Sequence, residues 1–427
     1  MRALYFIFLA TTLHAEIRIG FIGDQTGTDN LDAAYQTLAE GVSALNARCP
    51  HLVLHTGDLL ESVQYPNATP EEEFRAQFAR ATALLNQLRA PWHLAAGDHD
   101  VSAPYNQPDE SHNRQLFQSL YSSAKEHLYY SFNHAGYHFV ALSSQEFHNT
   151  DPRWGTTFRA RLSDDQMVWL ARDLEQHRRA KGIIVFLHQP LWYQWANWAP
   201  VHELLRRYRV RAVVAGHFHY NQDEGSLDGI RYLVMGATGG TTKHGSVGAG
   251  DLHHVSLLRI EGRRIELEVI PLRQATPRAF SSRRDMDRVQ ALAVNLSNLF
   301  ADTTVDTCAG KYELQLRSLG NPIDVPLRLS VRPVSTNYSP IGSHYTPSVC
   351  GNGADCVLVP GILVQSSNNS SVVPERTQAI WTATLPTHTV DGKAPQLRLT
   401  VRAEFAGERE PLHIENTLTI KTNCPLK

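Results

Sequence analysis

Between Glu16 and about Leu272, short apolar runs alternate with longer stretches whose apolar residues recur every three or four positions. That alternation of buried strands with amphipathic helices is the pattern of a layered α/β domain. Six runs read as strands: 17–23 (IRIGFIG), 52–57 (LVLHTG), 92–97 (WHLAAG), 137–143 (YHFVALS), 182–188 (GIIVFLH) and 211–217 (RAVVAGH). Residues 31–49, 70–90 and 163–180 have helical spacing. Pro70 opens an acidic first turn, and Ser163 precedes Asp164, Asp165 and Gln166 in capping-box order. From Gln274 the texture changes. Residues 281–300 (SSRRDMDRVQALAVNLSNLF) predict one helix, charged and then apolar, within a linker at 274–303. Beyond Thr303, segments alternating at period two lie between turns rich in Pro, Gly, Asn and Ser. They predict an all-β sandwich at 304–427.

A chain of 427 residues is too long for one ordinary core, which agrees with an α/β domain at 16–273 followed by the β domain. With 40 basic and 42 acidic residues, the net charge of −2 disfavours a nucleic acid polymer as partner and gives no electrostatic footprint for a membrane. Residues 1–15 combine Arg2, an apolar stretch at 3–13 and a small residue, Ala15, before Glu16. This is the pattern of a signal peptide cut near Ala15, so the expected location is periplasmic or secreted. No later window is apolar enough to span a membrane. Four of the five cysteines lie in the last third. Cys350 with Cys356 and Cys308 with Cys424 are the favoured disulfides, one of three connectivities that four cysteines allow. Cys49 reads as a small buried hydrophobe near a helix end.

The chemistry sits where the apolar runs stop. Five of them end in residues able to bind a metal: Asp24, Asp58, Asp98 with His99, His188, and His217 with His219. Open α/β sheets gather functional groups at the carboxyl ends of their strands, so these residues are expected to converge. Gly23, Gly57, Gly97 and Gly216 stand just before them, to turn the chain and allow close approach. Asp24, Asp58, Asp98, His188, His217 and His219 exceed the ligands of one zinc site, and a two-metal centre bridged by Asp58 accounts for the number. Such a pair suits in-line attack of activated hydroxide on a small phosphorylated substrate. His99 is then placed to protonate the leaving alkoxide, with Asp100 orienting its ring.

In these blocks, GDQTG, TGDLLE, AGDHD, FLHQP and AGHFH, the chain resembles the calcineurin-like metallophosphoesterases, and within them the single-domain relatives of purple acid phosphatase. The resemblance covers roughly 16–272. It implies a layered α/β fold and two divalent or trivalent ions, Fe, Mn or Zn. It also implies that Asp24, Asp58 and His219 hold the first ion and that Asp58, Asp98, His188 and His217 hold the second, with His99 as proton donor. Three positions depart from the family pattern. Thr26 replaces a His found in many members, Glu61 replaces the metal-binding Tyr of the purple enzymes, and Asp98 replaces an Asn. The first ion therefore lacks a standard ligand unless Glu61, Gln25 or water takes its place. An exported phosphomonoesterase is the leading expectation. The alternatives are a phosphodiesterase or nucleotide pyrophosphatase, and a secreted binding protein with weakened turnover. Trp192, Trp195 and Trp198 either form an aromatic wall over the metals or, as favoured, pack beneath the next helix. Of the remaining histidines, His244 is the expected substrate contact.

Overall fold

The computed structural model describes residues 16–28, 30–64, 67–102, 111–145, 147–151, 155–159, 161–193, 198–242, 246–262, 264–273 and 281–298, together with 304–305, 312–317, 321–333, 357–359, 362–366, 372–373, 380–385 and 397–422. The expected signal peptide, Trp195, His244 and the four C-terminal cysteines lie outside these residues. The chain divides into two compact units. One comprises Met1–His219, Glu224–Thr241 and His253–Phe280; the other comprises Tyr220–Asp223, Thr242–Leu252 and Ser281–Lys427.

The first unit is an α/β sandwich around two sheets. One sheet runs in the order Arg264–Pro271, His254–Glu261, Ile17–Ile22, Leu52–His55, Trp92–Leu94, and its last three strands are parallel. The other runs Gln222–Leu227, Ile230–Val234, Val210–Ala215, Ile183–Phe186, Tyr137–Ala141, Tyr130–His134. Its four middle strands are parallel. Period-two alternation explains why these strands are apolar throughout. Ile17, Ile19 and Phe21 join Leu52, Leu54, Phe139, Ile184 and Phe186 in one core cluster drawn from both sheets. The alternate residues Ile183 and Val185 pack instead with Leu170 and Leu174 of the helix Asp164–Gln176. Ile22 and Val53 pack with the helices Leu31–Arg48 and Glu71–Leu85.

All six expected strands and all three expected helices form. The hairpin His254–Glu261 with Arg264–Pro271, and the strands Tyr130–His134, Gln222–Leu227 and Ile230–Val234, extend the sheets beyond those six. Ser163 Oγ accepts from the Gln166 N–H at 3.1 Å. The Gln166 side chain does not close a box; it grips the backbone of Ser143 through two bonds of 2.9 Å and so ties the helix to a strand end. Cys49 is exposed rather than buried, because it caps the helix Leu31–Arg48 with a left-handed backbone, φ 49°.

In the second unit, the helix Arg283–Asn298 precedes two sheets. Arg288 bonds Asp285 at 2.8 Å and Asp324 at 2.7 Å. One sheet has the order Thr304–Val305, Pro411–Thr422, Leu397–Ala406, Leu327–Pro333, Val372–Val373, and the other Tyr312–Arg317, Ile380–Leu385, Ile362–Ser366, Val357–Val359. Every pairing is antiparallel except that of Thr304–Val305 with Pro411–Thr422. No helix among the described residues is long and apolar enough to cross a membrane.

The inter-sheet core makes a direct prediction. Phe186 is fully buried, and Phe186→Ala should lower stability by about 3–5 kcal/mol in urea unfolding. Val168, half exposed on its helix, should tolerate Ala with little change.

Candidate metal centre

Every candidate ligand lies just beyond the carboxyl end of a parallel strand, Asp98 at the start of the short helix Asp98–Val101 and the others in the turns that follow. Four of them turn the chain themselves: Asp24, Asp58, His217 and His219 have φ of 55°, 57°, 71° and 63°. Left-handed backbone costs an L-residue roughly 1–2 kcal/mol, and its concentration here marks a site that holds strain for a purpose. Of the preceding glycines only Gly57 has positive φ. Gly97 and Gly216 serve close approach instead, since a Cβ at Gly97 would lie 2.1 Å from Asp58 Oδ1 and one at Gly216 would lie 2.5 Å from Asp24 Oδ2.

The ligand atoms form two groups that share Asp58. Asp58, Asp98, His188 and His217 each offer an atom within 4.8 Å of the others, and so do Asp24, Asp58 and His219. His188 Nε2 is 2.9 Å from Asp98 Oδ1, 3.3 Å from Asp58 Oδ2 and 3.1 Å from His217 Nδ1. Its Nδ1 meets the Thr56 carbonyl at 2.8 Å, and His219 Nδ1 meets the Thr241 carbonyl at 2.6 Å. A ring whose Nδ1–H donates to a carbonyl presents its Nε2 lone pair, and this is how histidines are fixed for metal binding. Asp24 is fully buried, accepts the His217 N–H through Oδ1 at 2.9 Å, and has no hydrogen-bond partner for Oδ2.

The electrostatics agree with the geometry. Burial, with repulsion from Asp58 and Asp98, raises Asp24 to about 7. Burial works against His188, but Asp58 and Asp98 outweigh it and hold the ring well above the ordinary histidine range. Burial likewise opposes ionisation of Asp98, but His217 and His188 keep it well below the usual carboxylate range. Three carboxylates this close, one with an orphaned oxygen, fit cations better than protons. The mixture of oxygen and imidazole donors suits divalent transition ions.

Residues 17–221 match the family model described as calcineurin-like phosphoesterase. Over this segment the chain is similar to that family. Purple acid phosphatase 23 of Arabidopsis thaliana is 25% identical over 232 residues, which are 47% of this chain and 46% of the relative. Purple acid phosphatase 21 of the same plant is 32% identical over 157 residues, 33% of each chain. The chain thus spans less than half the length of the curated relatives it matches. A dimetal phosphatase structure from Danio rerio aligns with a TM-score of 0.44 at 16% identity, over 60% of this chain and 98% of that one.

Two expectations for the site change with the geometry. Asp100 does not orient His99. Its buried carboxylate accepts backbone N–H groups from Gly97 at 2.8 Å, Asp58 at 2.9 Å and Leu60 at 2.9 Å, so it shapes the Asp58 turn. Burial raises Asp100 to about 7, Asp58 adds to the shift, and these N–H groups oppose it. The carboxylate against His99 Nδ1 belongs to Glu61. Burial lowers His99, yet Asp58, Glu61 and Asp98 prevail and raise it to about 10.

Glu61 and Gln25, the expected stand-ins for the first-ion ligand that Thr26 removes, both have other partners. The second oxygen of Glu61 accepts from Gly27 N at 3.2 Å. Gln25 Oε1 meets His55 Nε2 at 2.7 Å, and its amide donates to the Gly23 carbonyl at 3.0 Å. Thr26 donates to Asp58 Oδ2 at 3.2 Å, so its position supports the shared carboxylate. His55 is a partner that sequence reading missed. Burial lowers it to about 3, and its Nδ1 accepts from Gly57 N at 3.1 Å. The only signal for it was a histidine inside an otherwise apolar strand.

Trp192 and Trp198 take the packing role. Trp198 is buried and donates to the Tyr232 hydroxyl at 3.3 Å, while Trp192 packs on both rings.

Asp100→Ala leaves three backbone donors without their acceptor, at about 1–3 kcal/mol for each one left unsatisfied. It should weaken metal binding about 10–100-fold in equilibrium dialysis. Glu61→Gln should leave metal content unchanged.

Proposed function

We propose that this chain is an exported, binuclear metal-dependent phosphoesterase that hydrolyses small phosphate monoesters. One arrangement carries the reading: two ligand groups share Asp58, with His99 beside them. Asp24, Asp58 and His219 would hold one ion, and Asp58, Asp98, His188 and His217 the other, the ions being Fe, Mn or Zn. When bound, the ions supply Lewis-acid charge for the phosphoryl oxygens and an activated water at neutral pH. The relatives' names support a phosphatase, and the apolar leader at 3–13 supports export.

The residues then divide the work. His99 donates its backbone N–H to Asp58 Oδ1 at 2.9 Å, which fixes the ring's position relative to the shared carboxylate. Glu61 accepts at Nδ1 and favours the imidazolium, leaving Nε2 to protonate the departing alkoxide. The His99 side chain is 36% exposed, open enough for a leaving group to reach. Asp98 favours a second reading. One of its two oxygens, Oδ1, faces both His188 and His217, and its negative charge disfavours a phosphate dianion relative to a diester.

Turnover of p-nitrophenyl phosphate and its bis ester, with Mn²⁺, Zn²⁺ or Fe²⁺ added, tests the proposal. His99→Ala should lose about 10²–10⁴-fold in turnover with metal retained, whereas Asp58→Ala should lose metal. Full turnover in His99→Ala would sink the proton-donor role. Fewer than one ion per chain, with neither ester cleaved, would sink the enzyme. Asp98→Asn should raise monoester turnover relative to diester, and an unchanged ratio would show that the Asp98 charge does not set the preference.

A further inference from the structure

A second cluster of metal-binding groups lies at the opposite end of the second sheet. His138 is near the start of the strand Tyr137–Ala141, and its N–H donates to the Gly182 carbonyl at 3.0 Å. That strand runs parallel to Ile183–Phe186, whose far end leads to His188. Asp173 and His177 stand four residues apart at the end of the helix Asp164–Gln176, a spacing that puts both on one face. His138, Asp173 and His177 each offer a ligand atom within 4.8 Å of the others.

The surroundings resemble those of the catalytic histidines. His138 is fully buried, with Nε2 2.7 Å from Asp173 Oδ2 and Nδ1 2.9 Å from Asn133 Oδ1. An oxygen against Nδ1 and a carboxylate facing Nε2 is the arrangement that His188 shows with Thr56 and Asp98. Ser131 donates to the other oxygen of Asp173 at 2.7 Å, so both inner groups have supporting partners. His177 is the outer member. Its side chain is 27% exposed, and its Nδ1 lies 3.4 Å from Asp173 Oδ1 and 2.9 Å from the Asp173 carbonyl. The two rings stack at 3.7 Å, tilted by 10°.

We propose that His138, Asp173 and His177 form a separate binding site for one divalent transition ion of borderline softness, such as Zn²⁺, Ni²⁺ or Cu²⁺. Parallel rings cannot aim two lone pairs at one ion, so binding requires His177, the least buried of the three, to leave the stack. The ion displaces the proton shared by His138 and Asp173 and releases it to solvent. One carboxylate and two imidazoles make a donor set that favours these ions over Ca²⁺ or Mg²⁺. The site would clip the helix end to the sheet, away from the phosphoesterase centre.

Metal analysis after dialysis against Zn²⁺ reads this out. Wild type should hold one Zn²⁺ more per chain than His177→Ala, with ester hydrolysis per chain unchanged. Asp98→Ala should lose metal at the catalytic centre and keep the His177-dependent ion, which separates this site from the phosphoesterase reading. Added Zn²⁺ should raise the Tm of wild type more than that of His177→Gln, a variant that keeps size and polarity. Equal Zn²⁺ content in wild type and His177→Ala would overturn the proposal and leave the cluster as a hydrogen-bonded stack that only fastens the helix.

Discussion

The first unit is organised around one electrostatic demand: Asp24, Asp58 and Asp98 are drawn close together, two of them fully out of solvent. Coulomb repulsion between like charges at such range, in a medium of low dielectric, far exceeds any single hydrogen bond, so their gathering has to be met by positive charge. Part of that charge is protein, in His188. The rest is the room left for ions, and the unpartnered Asp24 Oδ2 shows where the protein's own groups fall short.

The scaffold meets this demand through position. Parallel strands bring distant segments to one edge, and the turns beyond them are held from behind by groups that never face the centre. Asp100 gathers three N–H groups around the Asp58 turn, while His55 joins Gln25, beside Asp24, to Gly57, beside Asp58. These buried polar partners hold the turns that carry the ligand candidates.

Much of this was legible in the sequence because each signal was local. Apolar runs gave the central strands, and residues at their ends gave all six ligand candidates. The hairpin His254–Glu261 with Arg264–Pro271 was harder to read, since its charged faces blur the apolar run although the alternation persists. Partnerships across sequence were not legible. Asp100 is next to His99 in the chain, yet Glu61, 38 residues away, holds the ring. Adjacency in a one-turn helix points neighbouring side chains in different directions, and only the fold decides which carboxylate arrives. Cys49 failed for a related reason, because an apolar residue at a left-handed cap follows the backbone rather than the core.

The left-handed backbone at Asp24, Asp58, His217 and His219 sets a limit on how this protein can be improved. Glycine at any of these positions would relax the chain, and by removing the side chain would also remove a candidate metal ligand. A selection for heat tolerance alone would be drawn to these sites and would end in a molecule without its candidate metal ligands. Robust variants that keep the site must come from positions outside these turns.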